Sequence, residues 1–371
     1  MVDLHSQYEK IRTEVNAGIQ EVIDTTTFIK GGKVNDFQRN LEEYLNVKHV
    51  IPVGNGTDAL QIAIMALGLK PGDEVITPTF TFIATAEVVA LLGLKPVVVD
   101  VDFDTFNISI ESLEKAITPK TKAIVPVHLF GQNANMEAIL SIAKEHNLHV
   151  IEDACQSIGS VYTFSDGRKC QSGCMAEIGC TSFFPSKNLG CFGDGGAIFT
   201  NNDALAAEMR AIANHGMVVR YYHDKVGVNS RLDSIQAAVL DVKLKHLDSY
   251  CAARKAAADY YDLSFSKCEK LIIPFRAANT THVFHQYTLK LKDINRSELQ
   301  KYLADKGIPA MVYYPVPLHL QKAYQDSRYK AGDFPIAERL SDCVISLPMH
   351  TELTEEQLKY ITNTVLEFVN Q

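Results

Sequence analysis

The sequence predicts an α/β fold: a large domain built on a mostly parallel sheet covered by helices on both faces, followed by a small C-terminal α+β domain. Three observations predict it. Short Val/Ile-rich runs such as EVITP (74–78) and PVVVD (96–100) alternate with amphipathic helical stretches through most of the first two-thirds of the chain. Their Val/Ile stretches alternate with helices along the chain, so both of their faces are expected to be buried, as in a parallel sheet. From about Pro274 the pattern turns to mixed short strands and helices, as in HQYTLKL (285–291) and SELQKYLADKG (297–307).

The large domain is expected over residues 1–250, with an N-terminal helical segment, and the small one over 251–371. Asn55-Gly56-Thr57-Asp58 leads into helical periodicity over Ala59–Leu69, with Thr57 or Asp58 as the candidate cap. Gly72-Asp73 marks a turn before EVITP, and Thr85–Leu92 reads as a helix ending at Gly93, ahead of PVVVD. KAIVPVHL (122–129), a helix over Met136–His146, and HVIEDA (149–154) repeat the unit. Leu232–Leu263 reads as one long helical stretch with few breakers.

The chain has 371 residues, with 36 Lys and Arg against 44 Asp and Glu, a formal charge of −8. That sign weighs against a general nucleic-acid or anionic-membrane face, although a few cations and N–H groups can still converge on a small anion. The N-terminus has no apolar h-region, and the apolar run Val88–Gly93 is too short to span a bilayer, so a soluble, cytoplasmic protein is expected. Eight irregularly spaced cysteines imply reduced thiols. Cys170, Cys174 and Cys180 lack the paired spacing and histidines of a zinc site, and no metal is expected.

Three places are candidates for chemistry. Lys187 stands in TSFFPSKNLG (181–190), among aromatic and small residues; a loop lysine is otherwise a solvated side chain. Asp153 follows a predicted strand at the carboxyl edge of the sheet, where ligands collect, or else it caps the next segment. Gly56-Thr57 opens a helix whose free N–H groups suit a phosphate, although such turns are also common without one.

Taken in order, these elements resemble the fold-type-I pyridoxal-phosphate (PLP) enzymes, and specifically the DegT/DnrJ/EryC1/StrS family of sugar aminotransferases. The segments that carry the resemblance are NGTDAL (55–60), PTFTFIAT (78–85), GQ (131–132), IEDACQSIG (151–159), SFFPSKNLGCFGDGGAIFTN (182–201), HG (215–216), VGVNSRLDSIQAA (226–238) and YYPVPLH (313–319). They run in family order over nearly the whole chain. The resemblance implies a seven-stranded large-domain sheet and the cofactor PLP. It implies that Lys187 attaches the cofactor and shuttles the proton, that Asp153 pairs with the pyridinium, and that Gln156 bonds near the ring hydroxyl. Phe82 would stack on the ring, while Gly56, Thr57 and Ser182 would hold the phosphate. Asn229 would reach that phosphate from a neighbouring subunit, making a homodimer with composite sites. Related dehydratases carry histidine in place of the lysine, so Lys187 favours transamination.

For the substrate, the resemblance places Arg231, Tyr313 and Tyr314 at the sugar. A guanidinium suits a uronate carboxylate; a structural salt bridge of Arg231 to Asp233 or another acidic neighbour is the bland alternative. CTSFFPSK, GDGGAIFTN, VGVNSRLD and ISLPMH resemble the branch that aminates C3 of UDP-2-acetamido-3-keto-glucuronate, with glutamate as donor, for bacterial O-antigen and other surface polysaccharide. Members of that branch read His-Tyr-Pro where this chain has Tyr313-Tyr314-Pro315. Tyr-Tyr also occurs in relatives acting on dTDP-3-keto-6-deoxyhexoses, which keeps that substrate as an alternative. From other classes, the alternatives are a PLP-binding regulator without turnover and a PLP-dependent decarboxylase or desulfurase. The regulator lacks any DNA-binding helix pair or basic patch. Cys191 near Lys187 reads as a packed thiol more readily than as a sulfur acceptor.

Overall fold

The computed structural model describes residues 1–324 and 326–370. Two N-terminal helices, α1 (Leu4–Thr25) and α2 (Gly32–Leu45), precede β1 (His49–Val53) and α3 (Gly56–Ala66). Next come β2 (Glu74–Pro78), α4 (Ala84–Leu91), β3 (Lys95–Val99), α5 (Ile110–Ala116), β4 (Thr121–Ile124), α6 (Met136–His146) and β5 (His149–Asp153). A small hairpin, β6 (Val161–Thr163) and β7 (Lys169–Gln171), leads to β8 (Ile178–Ser182), β9 (Gly196–Thr200) and α7 (Asp203–Ala213). The large sheet has seven strands in the order β1-β9-β8-β5-β4-β2-β3. Only β9 runs against its neighbours, pairing antiparallel with both β1 and β8.

Period-two alternation along the strands divides the core. Ile51, Val75, Ala123, Ile151 and Ile198 face one side, against α3, α4 and α7. Their chain neighbours Ile76, Ile124 and Val150 face the other, against Leu113 of α5 and Met136, Ile139 and Ile142 of α6. Each such fully buried side chain contributes about 1.5–3 kcal/mol, so the Val/Ile runs fix which strands lie centrally. The predicted Met136–His146 helix is observed, capped by Asn135 and closed by Asn147 in the left-handed region at φ 52°. At the start of α3 the cap is Asn55, not Thr57 or Asp58: its side chain accepts the Asp58 N–H at 2.8 Å.

The helical run over 232–263 is two helices, α8 (Ser234–Leu244) and α9 (Leu247–Phe265), parted at Lys245-His246. Two separate cores decide this. Ala237, Leu240, Leu244 and Leu247 pack with α2 and the β1–β9 end of the sheet. Ala257, Ala258, Tyr261 and Phe265 enter a C-terminal core, so the chain must turn between them. That second core lies on an antiparallel sheet of β10 (Leu271–Ile272), β11 (Tyr287–Leu291) and β12 (Val344–Leu347). It is covered by α9, α10 (Arg296–Asp305) and α12 (Glu355–Val369), which starts with a Thr354/Gln357 capping box. The remaining helix, α11 (Pro335–Cys343), begins at the end of β3, where the Asp100 carboxylate accepts the Ile336 and Ala337 N–H groups at 3.0 and 2.8 Å. Among the described residues no helix is long and apolar enough to cross a membrane.

Candidate active site

Chain reversals at the carboxyl edge of the large sheet enclose a cavity of about 710 Å³. Its floor is the turn from β1 into α3. The first N–H groups of α3 have no partner within the helix and face the cavity at Gly56 and Thr57. Glycine is required here by close approach: a Cβ on Gly56 would lie 2.8 Å from Ser182 Cβ and 2.9 Å from Cys155 Sγ. Gly196, opposite Val53 and Ser182 in the sheet, is constrained in the same way, since its Cβ would lie 2.4 Å from the Asn55 carbonyl carbon. Ser230 fastens the turn from outside, accepting the Gly54 N–H at 2.9 Å and donating to Asp58 Oδ2 at 2.6 Å.

Asp153 ends β5, with a carboxylate that is 5 % exposed. Thr85 Oγ1 donates to its Oδ2 at 2.9 Å and the Cys155 N–H to its Oδ1 at 3.2 Å. The preceding residue anchors this strand end. Glu152 is fully buried and accepts from the N–H groups of Gly173, Met175 and Ala176 and from His128 Nε2. Because the Ala134 N–H donates to His128 Nδ1, the proton of that imidazole sits on Nε2, facing Glu152. A carboxylate with four donors has no cause to move, and it holds Asp153 in register.

Lys187 lies in the loop between β8 and β9. Burial lowers its amine from the ordinary lysine value, opposed by Cys155 and Asp153. The loop is held by its own backbone, with Lys187 N–H to Phe184 O at 2.8 Å and Cys191 N–H to Phe183 O at 2.8 Å. Lys243 of α8 adds a bond to Gly190 O at 2.7 Å; it is 2 % exposed, and burial brings its amine down to about 8.

Gln156 Oε1 accepts the Phe130 N–H at 2.9 Å while its Nε2 donates to the Tyr314 hydroxyl at 3.1 Å, leaving one amide hydrogen free. Burial raises the Tyr314 phenol well above its ordinary value. Phe82 stands at the cavity wall, 55 % exposed, with its ring 6.4 Å from that of Tyr314.

Gly56, Thr57, Phe82, Asp153, Gln156, Ser182, Lys187, Tyr313 and Tyr314 are thus brought together around one space. Asn229 and Arg231 are not. Asn229 is exposed, and Arg231 lines a separate cleft of about 220 Å³ with Lys30 and Arg210. Arg231 forms no ion pair among the described residues, so the salt bridge to Asp233 is absent. Sequence reasoning missed Thr85, Thr81 and His285. The first two lay unread within PTFTFIAT, and His285 sat in a strand candidate with no chemical signal.

The cavity fits PLP. It offers N–H groups and a glycine cradle for a phosphate, a buried carboxylate for a pyridinium, and a lysine whose amine is biased toward its neutral, nucleophilic form. Thr81 Oγ1 is buried at the cavity without a partner among the described residues, as expected of a group that meets a ligand.

This fold and cavity define a fold-type-I PLP-dependent transferase. The chain belongs to the DegT/DnrJ/EryC1/StrS aminotransferase family, whose pattern matches residues 9–366. It is 48 % identical to the "Pleiotropic regulatory protein" of Geobacillus stearothermophilus, over 99 % of this chain and 98 % of that one. It is 47 % identical to the "UDP-2-acetamido-2-deoxy-3-oxo-D-glucuronate aminotransferase" of Pseudomonas aeruginosa, over 97 % of each. The "dTDP-3-amino-3,4,6-trideoxy-alpha-D-glucose transaminase" of Streptomyces venezuelae is 38 % identical over 100 % of this chain and 96 % of its own. Among solved structures, a family aminotransferase from Brucella abortus superposes with a TM-score of 0.94 at 41 % identity, covering 100 % of this chain and 99 % of that one. NtdA from Bacillus subtilis with bound cofactor PMP gives 0.89 at 33 % identity, covering 98 % and 82 %. The protein is a PLP-dependent aminotransferase of nucleotide-linked sugars.

Proposed function

We propose that this enzyme moves an amino group from glutamate to C3 of UDP-2-acetamido-3-keto-glucuronate, in the cytoplasm, for a bacterial surface polysaccharide such as O-antigen. The observation that carries the sugar assignment is the 47 % identity to an aminotransferase named for that uronate. The Tyr313-Tyr314 pair at the cavity, together with the dTDP-sugar relative, favours a dTDP-3-keto-6-deoxyhexose as the second reading.

Gly56, Thr57 and Ser182 would hold the cofactor phosphate, and Asp153, kept in place by Thr85, would pair with its ring nitrogen. The free amide hydrogen of Gln156 would meet the ring hydroxyl, and Phe82 would cover one face of the ring. When bound, PLP supplies an electron sink for bond breaking at the carbon that carries the amino group. Lys187 would hold the cofactor through Nζ; once free, that amine would take the proton from the α-carbon of glutamate in one half-reaction and deliver one to C3 of the sugar in the other. Glutamate leaves as 2-oxoglutarate and the keto-sugar leaves as the amino sugar. Tyr313 and Tyr314 border the sugar.

No arginine lines the cavity among the described residues, yet a uronate carboxylate calls for one. Arg231 and Asn229 therefore act from a second copy, in a homodimer with composite sites. Exposed apolar side chains nearby in sequence support this pairing: Val218 is 76 % exposed, Tyr221 75 % and Val226 85 %. We further propose that residues 1–250 and 251–371 are the two domains, each carrying one of the separate cores.

Two experiments test these assignments. Gly56→Ala is expected to weaken PLP binding by about 10- to 100-fold, from the roughly 1–3 kcal/mol of overpacking against Ser182 and Cys155. Fluorescence titration of the apoprotein measures it, and unchanged affinity would remove the phosphate from this turn. For the substrate, the PLP-loaded enzyme is titrated with UDP-2-acetamido-3-amino-glucuronate. The lysine-bound cofactor absorbs near about 400–430 nm and is expected to convert fully to the amine form near about 330 nm. A band that persists with the uronate but fades with a dTDP-3-amino-6-deoxyhexose would replace the first reading by the second.

A further inference from the structure

We propose that His285 is a positioning residue for Lys187: its neutral imidazole receives the lysine amine whenever that amine is free of the cofactor, and fixes where it carries its proton. The inference rests on Lys187 being the reacting lysine.

His285 and Lys187 line the same cavity from opposite parts of the chain. The imidazole is 7 % exposed, and its Nδ1 is buried without a hydrogen-bond partner among the described residues. Leaving such a group unsatisfied is costly, so a fold that keeps it is expected to use it. The segment that carries it is held from three sides. Val283 N–H donates to Gly131 O at 2.9 Å. Arg254 of α9, 4 % exposed, donates through Nη1 to Phe284 O at 3.2 Å, to His285 O at 3.5 Å and to Met349 O at 3.1 Å. Asn188 Nδ2 donates to Val283 O at 2.9 Å. Asn188 is the residue next to Lys187, so this last bond braces the lysine loop directly against the histidine segment.

The protonation state suits an acceptor. Burial, then Lys187 and Arg254, push the His285 imidazole well below its ordinary value, so it stays neutral at working pH and does not compete for the proton. Lys187 is itself held down by burial, with Cys155 and Asp153 opposing. A neutral imidazole lone pair stabilises the ammonium form of the lysine over the amine, enough for Nζ to hold a proton between the carbon that gives it and the carbon that receives it. Asp153 cannot serve both ends, because its oxygens are already engaged by Thr85 and Cys155 and by the role proposed for it at the ring nitrogen.

The test compares His285→Phe, which removes the acceptor, with His285→Gln, which keeps one. On the full-length chain freed of cofactor, acetic anhydride labelling of Lys187 is followed against pH by peptide mass spectrometry. Loss of the acceptor is expected to raise labelling near neutral pH about 10-fold, the equivalent of one pKa unit, while H285Q stays near wild type. In the loaded enzyme, the primary isotope effect with α-deuterated glutamate should rise in H285F and not in H285Q. Equal labelling in H285F and wild type, or equal changes in both variants, would overturn the proposal and leave His285 a packing residue. If H285F does not fold, His285→Leu supplies the same comparison. Failure of the Lys187 assignment shows separately, as turnover that survives Lys187→Ala.

Discussion

Lys187→Ala is expected to abolish sugar amination, with kcat down by at least about 10⁴-fold, because in the proposed mechanism one residue both attaches the cofactor and carries the proton. The side chain is half-buried at the cavity, and burial lowers its amine, which biases it toward the nucleophilic form. No other lysine lines the cavity among the described residues. Lys243 approaches the same loop, yet its amine is spent on Gly190 O. Replacing Lys187 removes no ion pair among the described residues, so the variant should unfold within a few degrees of wild type and still bind PLP through the phosphate turn. Amino-sugar formation, cofactor content after gel filtration, and borohydride reduction followed by peptide mapping check the three parts. Measurable turnover of the true substrate by the variant would sink the assignment.

Asp153→Asn is expected to slow cofactor conversion by glutamate about 10²- to 10⁴-fold while leaving the cofactor bound. Removing one charge of a buried, hydrogen-bonded pair costs about 3–5 kcal/mol, and each 1.4 kcal/mol is about a factor of ten in rate. The substitution keeps shape but not polarity. Both Asp153 oxygens accept from the protein, Oδ2 from Thr85 and Oδ1 from the Cys155 N–H, so an amide NH₂ must face one of these donors or the ring nitrogen. Single-turnover absorbance with glutamate alone isolates this half-reaction from sugar binding. A variant that converts at the wild-type rate would show that Asp153 is a structural cap, the bland reading of a carboxylate after a strand.

The order of the elements was readable in the sequence because local pattern and burial agree there. Val97, Val98 and Val99 form an apolar run that only a covered strand accommodates, and the helix over Met136–His146 has its apolar face and its asparagine caps within a dozen or so residues. Lys187 and Asp153 were readable as candidates by their surroundings, and the order of motifs added the cofactor. The break at Lys245-His246 was not, since neither residue opposes a helix and the turn is imposed by two cores on either side. The antiparallel course of β9 was equally hidden, because an apolar run does not declare its direction.

The sequence by itself therefore determined the class of fold, the strands that carry it, and the lysine and carboxylate proposed for the chemistry. Only the tertiary structure decided which groups serve those two residues. Thr85 reaches Asp153 across 68 positions, and Asn188 braces Val283 across 95, bringing His285 to the lysine's cavity. The structure also separated Arg231 and Asn229 from the cavity of their own chain. The physical reason is the same in each case: periodicity and turn chemistry act over a few residues, whereas a hydrogen bond depends on where two distant segments end after the core has closed.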